Sequence, residues 1–309
     1  MQLSASKKVS PVLPARSSRP RESACLNINK MILAALPSIV FGVFTIIFTL
    51  QQNQAARENR KQDQQQADEL SVRTTFENYI NDISTLLLNR KFNRSNPEHL
   101  LHIRVKTMTV LRHVDANRKR DVILFLYESR LLRSDQPDNE RLSLVDGNLS
   151  DVHFIGTLSA LLQLSHLYIP GIYAPNIIFD RCQLDLAIFD GAFMPNAKII
   201  DSAIFNTSFD RVYAPDLTMG DVIFYQNNFQ GAILHRMNFA SGIDIFGTVD
   251  MTNADMLDSF TSQQTTINVS VFAHPFLILR NARLSNASFG PINDSNLVID
   301  GGAEETVCK

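Results

Sequence analysis

A period of five residues governs the middle of this chain. From Leu149 to Phe239 nearly every fifth residue is large and apolar, and the only polar member of the series is Ser159. A second series, mostly small or aliphatic, lies two residues before the first, as Val152 lies before Phe154. A helix repeats every ~3.6 residues and a strand every ~2, so neither produces this spacing. The pattern indicates a path that turns a corner once per repeat and points two side chains of each repeat inward.

Four such repeats would close a square coil of about 20 residues. The chain contains an independent check, because one local motif recurs at intervals of 20: Tyr173-Ala174-Pro175-Asn176, Phe193-Met194-Pro195-Asn196 and Tyr213-Ala214-Pro215-Asp216. These copies should lie above one another in successive coils. The same spacing predicts an aromatic stack inside the coil, formed by Phe189, Phe209 and Phe229.

This pattern resembles the pentapeptide-repeat family, whose unit is written A-(D/N)-L-x-x. Good matches are Asn253-Ala254-Asp255-Met256, Ala282-Arg283-Leu284 and Ala287-Ser288-Phe289. The middle Asp/Asn position is degenerate in other units, where Tyr173 and Ile178 occupy it. The resemblance implies a mainly β fold, a right-handed quadrilateral β-helix, over residues 142–300.

The series of inward residues breaks twice. It slips by two after Phe239 and resumes at Phe246, Met251 and Met256. A second break, between Ser259 and Ser270, precedes Leu279, Leu284 and Phe289. Because an inserted residue in a strand-like path must be looped out, we expect a bulge or loop at each break.

The segment Met31–Leu50 predicts one transmembrane helix. It is 20 residues long and carries no charge, which suffices to span a hydrocarbon core of about 30 Å. The alternative is a signal peptide, but the apolar run is longer than usual and no A-x-A cleavage site follows it. Lys and Arg are commoner before the segment than after it. This bias places the N-terminus in the cytoplasm and the repeat domain on the opposite side of the membrane.

Three further regions flank this segment and the repeats. Residues 1–30 are predicted to be a disordered basic tail, residues 51–141 a helical stalk and cap, and residues 301–309 a tail. Gln51–Asp68 shows no apolar heptad, which favours a solvated helix or a flexible linker over a coiled coil. Ser95 and Glu98 have capping-box spacing and predict a helix start, and Asp115 predicts another. A helical cap is expected because the first coil would otherwise expose its apolar interior.

The charge is distributed unevenly along the chain. Residues 1–141 carry a net charge of +8, whereas residues 142–300 carry −9. An acidic rod is similar to the pentapeptide-repeat proteins thought to mimic DNA, which gives an alternative function as an effector or regulator of a specific macromolecule. The opposing interpretation is that Asp suits the corners of the coil and keeps its surface solvated. No nucleic-acid partner is expected, because the predicted anchor places the repeats outside the cytoplasm.

The recurring motif also predicts a binding surface. Tyr173, Phe193 and Tyr213 each precede an inward residue, so they should point outward and stack, next to Pro175, Pro195 and Pro215. We call these six residues the aromatic ladder. It would dock a protein partner or this chain's own helices; alternatively, the rings merely shield their own corner.

The remaining candidate residues indicate neither catalysis nor metal binding. The sequence lacks nucleophile, phosphate-binding and metal motifs, and a filled coil offers no cleft, so no catalytic residue, cofactor or metal is expected. His99 and His102 beside Glu98 lack a third ligand and are interpreted as surface residues. Asp180, Asp185 and Asp190 should fall on three different faces, whereas Asp190 and Asp210 should stack.

Modification sites are the last group of candidates. Cys25 lies close to the predicted membrane segment, where it would be palmitoylated or stay an unmodified thiol. Cys182 should be a small interior residue. Six N-glycosylation sequons, of which chance would supply several, begin at Asn93, Asn148, Asn206, Asn268, Asn286 and Asn293.

Taken together, these patterns predict a membrane-anchored, non-enzymatic structural or protein-interaction module that presents a rigid acidic β-solenoid. The bilayer would hold it through Met31–Leu50, and a protein partner would bind the repeats.

Overall fold

The computed structural model describes residues 22–240, 243–261 and 276–290, without the side chains of 22–35, 38, 39 and 261. The chain divides into two units, Met1–Asp68 and Glu69–Lys309. Helix α1, Glu22–Leu88, begins in the first unit and ends in the second. Every side chain described in the first unit is exposed.

The structure does not support the predicted transmembrane helix. Met31–Leu50 lies within the helical backbone of α1. Across the described residues, no helix combines the length and the apolar character needed to cross a membrane. Residues 1–21 of the predicted basic tail and the predicted C-terminal tail, 301–309, lie outside the described residues.

The predicted helical region before the repeats is confirmed. Helix α2 is Pro97–His113, α3 is Ala116–Glu128, and a short 3-10 helix is Asp138–Glu140. Asp115 caps α3 as predicted, accepting hydrogen bonds from the backbone N–H groups of Asn117 and Arg118. The predicted start of α2 is one residue off.

Asn96, not Ser95, caps α2. Its side chain accepts from the Glu98 backbone N–H at 2.9 Å, because an Asx side chain at this position reaches the first free donors of the helix. The Ser95 hydroxyl instead donates to the Glu140 carboxylate at 2.9 Å, so it ties the start of α2 to the 3-10 helix.

The helices close the first coil. Ile83 of α1, Leu111 of α2 and Ile123 of α3 are fully buried in one core that continues into Leu149 and Phe154. The segment after α3 then pairs antiparallel with the first coil, through the Arg133–Leu167 bridge. This pairing covers part of the strand edge that the first coil would otherwise leave open.

The repeat domain is a β-solenoid with four faces, each built from parallel pairings. Face A contains β1 (His153–Ile155), β3 (Ile178–Asp180), β5 (Lys198–Ile200), β7 (Thr218–Gly220), β10 (Asn238–Phe239) and β13 (Phe260–Thr261). Face B contains β2 (Leu162–Gln163), β4 (Cys182–Gln183), β6 (Ala203–Phe205), β8 (Val222–Tyr225) and β11 (Ile243–Ile245). Face C contains bridges at Tyr168, Ile188 and Ser208, then β9 (Asn227–Asn228), β12 (Val249–Asp250) and β14 (Leu277–Ile278). Face D is a column of bridges at Asn148, Tyr173, Phe193, Tyr213, Ile233, Asp255 and Arg283.

The coil period and the inner stack are confirmed. Ile178 pairs with Lys198 and Lys198 with Thr218, so each step along face A equals the period of the recurring motif. Inside the coil, the rings of Phe189 and Phe209 stack with centroids 5.0 Å apart, and those of Phe209 and Phe229 at 4.7 Å. All three rings are buried, so they form a continuous aromatic column along the interior.

Each corner of the coil requires a left-handed backbone residue. Positive φ angles recur every fifth residue, for example at Asn176, Arg181, Leu186 and Gly191. Only Gly adopts this conformation without cost, and Asn and Asp tolerate it better than other residues. This explains why Asn, Asp and Gly are frequent at the position two residues after the inward apolar residue.

The unit around Ser159 was predicted to point inward, and that prediction is wrong. Thr157 and Ser159 are exposed, and Leu158 is 95% exposed. The coil closes without them, because the backbone N–H groups of Gly156 and Leu162 donate to the adjacent carbonyls of Asp180 and Arg181. One whole repeat unit is therefore looped out, which avoids burying its two hydroxyl side chains.

The first break consists of two single-residue insertions. Phe239 still pairs with Met219, one coil period away. The separation along the chain between Ile245 and its partner Phe224 is one residue longer than the coil period. The separation between Val249 and its partner Asn227 is two residues longer. Met251 and Met256 are buried as predicted, but Phe246 is 64% exposed. It falls in the second insertion, so the prediction that it points inward is wrong.

The prediction for the end of the repeats is also partly wrong. Leu279 is buried, whereas Phe289 is exposed. Phe289 forms an antiparallel bridge with Arg283, so the chain turns back on itself between these two residues. Most of the second break lies in residues 262–275, outside the described residues.

Candidate functional site

The three rings of the aromatic ladder lie on face D in a straight column. The ring centroids of Tyr173 and Phe193 are 5.2 Å apart and those of Phe193 and Tyr213 are 5.0 Å apart, with interplanar angles of 3° and 4°. The residues are 44%, 37% and 40% exposed. The predicted outward, stacked arrangement is therefore what the fold produces. The rings face each other along the solenoid and present their edges to the surroundings.

Backbone pairing fixes this column in place. The backbone N–H of Phe193 donates to the Ile172 carbonyl in the preceding coil, and the N–H of Tyr213 donates to the Ala192 carbonyl, each at 2.9 Å. The rings thus inherit the spacing of the strands, which is about 4.8 Å in any sheet. A surface built this way is preorganised, because no loop has to be ordered before a partner binds.

The three prolines are not equivalent. Pro175 and Pro195 are half-buried, whereas Pro215 is buried. The carbonyls of Pro195 and Pro215 accept hydrogen bonds from the backbone N–H groups of Asn176 and Asn196 at 2.9 Å. The prolines therefore hold the corner beside the rings, and Pro175 and Pro195 contribute to the accessible surface.

Carboxylates flank the N-terminal part of the ladder. Asp146 and Asp190 lie along the corner between faces C and D, and Asp151 lies on the corner between faces D and A. Asp151 accepts from the Asn176 side-chain amide at 2.9 Å, and Asp190 accepts from the Asp210 backbone N–H at 3.1 Å. The predicted stacking of Asp190 and Asp210 is thus stabilised by a hydrogen bond to the main chain.

Farther along the ladder the acidic residues are neutralised. The Arg236 guanidinium binds the Asp216 carboxylate through two hydrogen bonds, at 2.7 and 2.6 Å. These bonds hold the pKa of Asp216 below its usual value. Arg211 pairs with Asp210 at 2.8 Å. The ladder is consequently acidic at its Tyr173 end and close to neutral at its Tyr213 end.

The predicted sequons differ in accessibility. Asn93, Asn206 and Asn286 are exposed, and Asn206 occupies a corner with φ of 51°. Asn148 is half-buried, and its side-chain oxygen accepts from Lys119 at 3.2 Å. Asn268, Asn293 and the side chain of Cys25 lie outside the described residues.

Cys182 lies inside the coil as predicted. It is fully buried, and burial raises the pKa of its thiol to about 12. Its Sγ lies 3.4 Å from the Phe154 carbonyl oxygen. A buried thiol that stays protonated is a packing residue and not a nucleophile.

The other acidic and histidine candidates do not converge. Asp180 is the last residue of β3, Asp185 follows β4, and Asp190 follows the Ile188 bridge, so the three lie on different faces. The His99 ring stacks on Phe92 with centroids 5.5 Å apart. Among the described residues, no His, Cys, Asp and Glu side chains group as a metal site would require.

A second exposed apolar patch escaped prediction. It lies on face B and comprises Ile223, Tyr225 and Phe246, with Phe205 packed edge-on against Tyr225 at 6.3 Å. Phe205 and Tyr225 are separated by the coil period, and both follow an inward residue, so the same spacing argument would have placed them outside. We call Ile223, Tyr225 and Phe246 the face B patch.

Comparisons with known proteins give only distant similarities. No family model matches the chain, and no curated protein matches its sequence. Among solved structures, it is similar to the pentapeptide-repeat protein Rfr23 from the cyanobacterium Cyanothece 51142, at 9% identity and a TM-score of 0.29, over 39% of this chain and 90% of that one.

Two further solved structures are similar over longer segments. Trypsin-treated QnrB1, a plasmid-mediated fluoroquinolone resistance protein, matches at 12% identity and a TM-score of 0.18, over 44% of this chain and 73% of that one. HetL, a pentapeptide-repeat protein involved in heterocyst differentiation regulation in Nostoc sp. strain PCC 7120, matches at 12% identity and a TM-score of 0.14, over 54% and 98%. At such scores the description of the fold depends on the strand pairing of this chain itself.

Proposed function

We propose that this chain is a non-enzymatic interaction module whose repeat domain docks a protein partner on the aromatic ladder. The observation that carries the proposal is the exposure of three aromatic rings in one rigid, regular column. Exposed aromatic side chains of this kind are enriched in protein interfaces, because they lose little conformational entropy on binding. The interior of the described coils is packed mainly with apolar side chains, which favours a binding surface over a catalytic cleft.

The competing explanation is that the rings only shield their own corner of the coil. Shielding would make the rings contribute to stability without any partner. The two explanations differ in what the ring edges contact. Shielding requires only contacts between neighbouring rings, whereas docking also requires a partner to contact the exposed edges.

A matched pair of variants of the full-length protein tests the proposal. In the first, Tyr173, Phe193 and Tyr213 are changed to Ser; in the second, the face B patch is changed to Ser. Proteins retained by wild-type and variant baits are compared by quantitative mass spectrometry, and thermal unfolding is measured in parallel. We expect the ladder variant alone to lose a defined set of partners. Unchanged partners with a lowered unfolding temperature would establish the shielding role instead.

We also propose that the segment Met31–Leu50 attaches the chain to a membrane. Support comes from its uncharged sequence and from the exposure of its described apolar side chains, Phe41, Phe44 and Ile46 among them. Changing these three residues to Glu should release the protein from membranes on alkaline extraction. Changing the exposed Leu70 to Glu is the control and should have no effect. Retention of the triple variant on membranes would exclude this segment as the anchor.

We propose the orientation of the chain from the excess of Lys and Arg on the N-terminal side of this segment. With the N-terminus in the cytoplasm, the repeat domain would be protected from added protease in sealed vesicles. The exposed sequon at Asn206 would then be available for glycosylation, and glycosidase would shift the mobility of the wild-type protein more than that of Asn206→Gln. Digestion of the repeat domain in intact vesicles would place it on the cytoplasmic side.

A further inference from the structure

The proposed docking surface has a distinctive shape. Its rings form a narrow, straight strip in which neighbouring centroids are 5.0 to 5.2 Å apart. Ile233 continues the column on face D beyond Tyr213. An extended peptide is narrow enough to lie along such a strip, with the side chains of one face, about 6.6 Å apart, against the ring edges.

The charges beside the strip select the sign of the occupant. Asp146 and Asp151 are exposed, and Asp190 is half-buried, all next to the Tyr173 end of the ladder. Within the described part of the chain, none of the three carboxylates forms an ion pair. Two cations lie near these carboxylates. Lys119 is buried, donates to Asn148 at 3.2 Å and interacts electrostatically with Asp151. The Arg104 guanidinium donates to the Val145 carbonyl, next to Asp146, so the three carboxylates outnumber the cations beside them.

We infer that the ladder binds an extended, positively charged segment of a partner protein that carries apolar side chains between its cations. This inference depends on the proposed docking function. The apolar side chains would cover the ring edges of Tyr173 and Phe193. The cations would lie over the flanking carboxylates, which raises the rate of encounter and rejects acidic partners.

Fluorescence anisotropy with defined peptides tests the inference. The probe is a labelled peptide of Lys-Leu-Pro repeats, which stays extended because proline prevents a helix; matched peptides carry Glu or Ser in place of Lys. The full-length protein is titrated in mild detergent at low and high salt. The Lys peptide should bind at least about tenfold more tightly than the Glu peptide, and this difference should shrink at high salt.

Two charge variants locate the effect. The first changes Asp146, Asp151 and Asp190 to Asn. The second is a control of equal net charge, in which Asp201, Asp221 and Asp244, exposed along faces A and B, become Asn. Asn tolerates the left-handed corners at Asp146, Asp151, Asp201 and Asp221, so neither variant should misfold. We expect the first variant to weaken Lys-peptide binding by about fivefold and the second by less than about twofold.

Each of the other possible outcomes would refute a different part of the inference. Equal binding of the Lys and Glu peptides, or equal effects of the two charge variants, would refute the cationic partner. If the Ser variant of the ladder loses all peptide binding while the charge variants do not, docking stands and the charge preference falls. If the Ser variant binds the Lys peptide as the wild type does, the docking surface itself is refuted. Self-association of the wild type in sedimentation, abolished by the Ser variant, would identify a second copy of this chain as the occupant.

Discussion

The coils between Ile177 and Phe239 and the coils on either side of them follow the same period with different regularity. In the central coils every strand on face A pairs with the strand one coil period away. In the first coil the step from Phe154 to Phe179 is longer by one whole repeat unit, and after Phe239 the step from Val249 to Leu277 is longer still. The extra unit of the first coil lies outside the interior, where Thr157, Leu158 and Ser159 are exposed.

The contrast shows what allows an interruption. The looped-out unit of the first coil is the one whose inward positions hold Thr157 and Ser159. At the first break the interior is less completely filled, because an apolar pocket lies there, lined by Phe224, Phe239, Ile243, Ile245, Val249, Met251 and Leu277. In the regular coils most corner residues donate a backbone hydrogen bond to the next coil, as Asn196 does to the Pro215 carbonyl.

The largest expected effect lies in the regular region. Phe209 stacks between two other rings and is buried, so Phe209→Ala should lower the free energy of unfolding by about 3–5 kcal/mol. Chemical denaturation measures this decrease in the free energy of unfolding. The control, Phe246→Ala at the exposed insertion, should cost less than about 1 kcal/mol. Equal costs would show that the inner stack does not dominate stability.

The next effect concerns a buried amide. Asn227 accepts from the Thr207 backbone N–H at 3.0 Å and donates to the Ile204 carbonyl at 2.8 Å. Asn227→Ala leaves both main-chain groups without that partner and should cost about 1–3 kcal/mol. The neighbouring Asn228→Ala, on the outer side, is the control. A similar loss of stability in both variants would contradict the assigned role.

Deletion of the looped-out unit tests the comparison directly. Removing residues 157–161 should change the free energy of unfolding by less than about 1 kcal/mol, because the coil already closes between Gly156 and Leu162. Thermal unfolding followed by circular dichroism measures the change. Removing residues 182–186 from a regular coil should abolish cooperative unfolding, since it deletes the inward Cys182 and Leu184. Loss of the fold in the first deletion would mean that the loop is structurally required.

The smallest effect is a gain. Leu186 is exposed and holds a left-handed φ of 56°, which is unfavourable for a residue with this side chain. Leu186→Asn should therefore raise the free energy of unfolding by about 0.5 kcal/mol. Leu186→Ala lacks the short polar side chain that lets Asn tolerate this conformation, so it should give no comparable gain. If both variants have wild-type stability in denaturant titrations, the corner is not strained by Leu.

The interior was predictable because burial constrains the same two positions in every unit. Apolar residues at those positions fixed the coil period, the inner stack of Phe209 with its neighbours, and the outward direction of Tyr173. The left-handed corners were also present in the sequence, as a third series rich in Asn, Asp and Gly that includes Asn176 and Asn196.

The errors have a physical cause. After a break, the inward series can be assigned again only if it contains enough residues to exclude a chance match. Phe246 and Phe289 each lie in a short series. Ser159 was a signal of the looped-out unit, since a polar residue at an interior position argues against its burial. The identity of a ladder partner could not be predicted, because it depends on the partner's own side chains and not on how this chain folds.

The constant step between the central strands of face A has a consequence for how such a chain can change in evolution. Because each coil contacts mainly the coil before it and the coil after it, duplicating one coil lengthens the solenoid by about 4.8 Å and leaves the other coils unchanged. The distance between the helical end and any outer residue can therefore grow or shrink in fixed increments. A lineage could adjust the reach of this protein without redesigning either end.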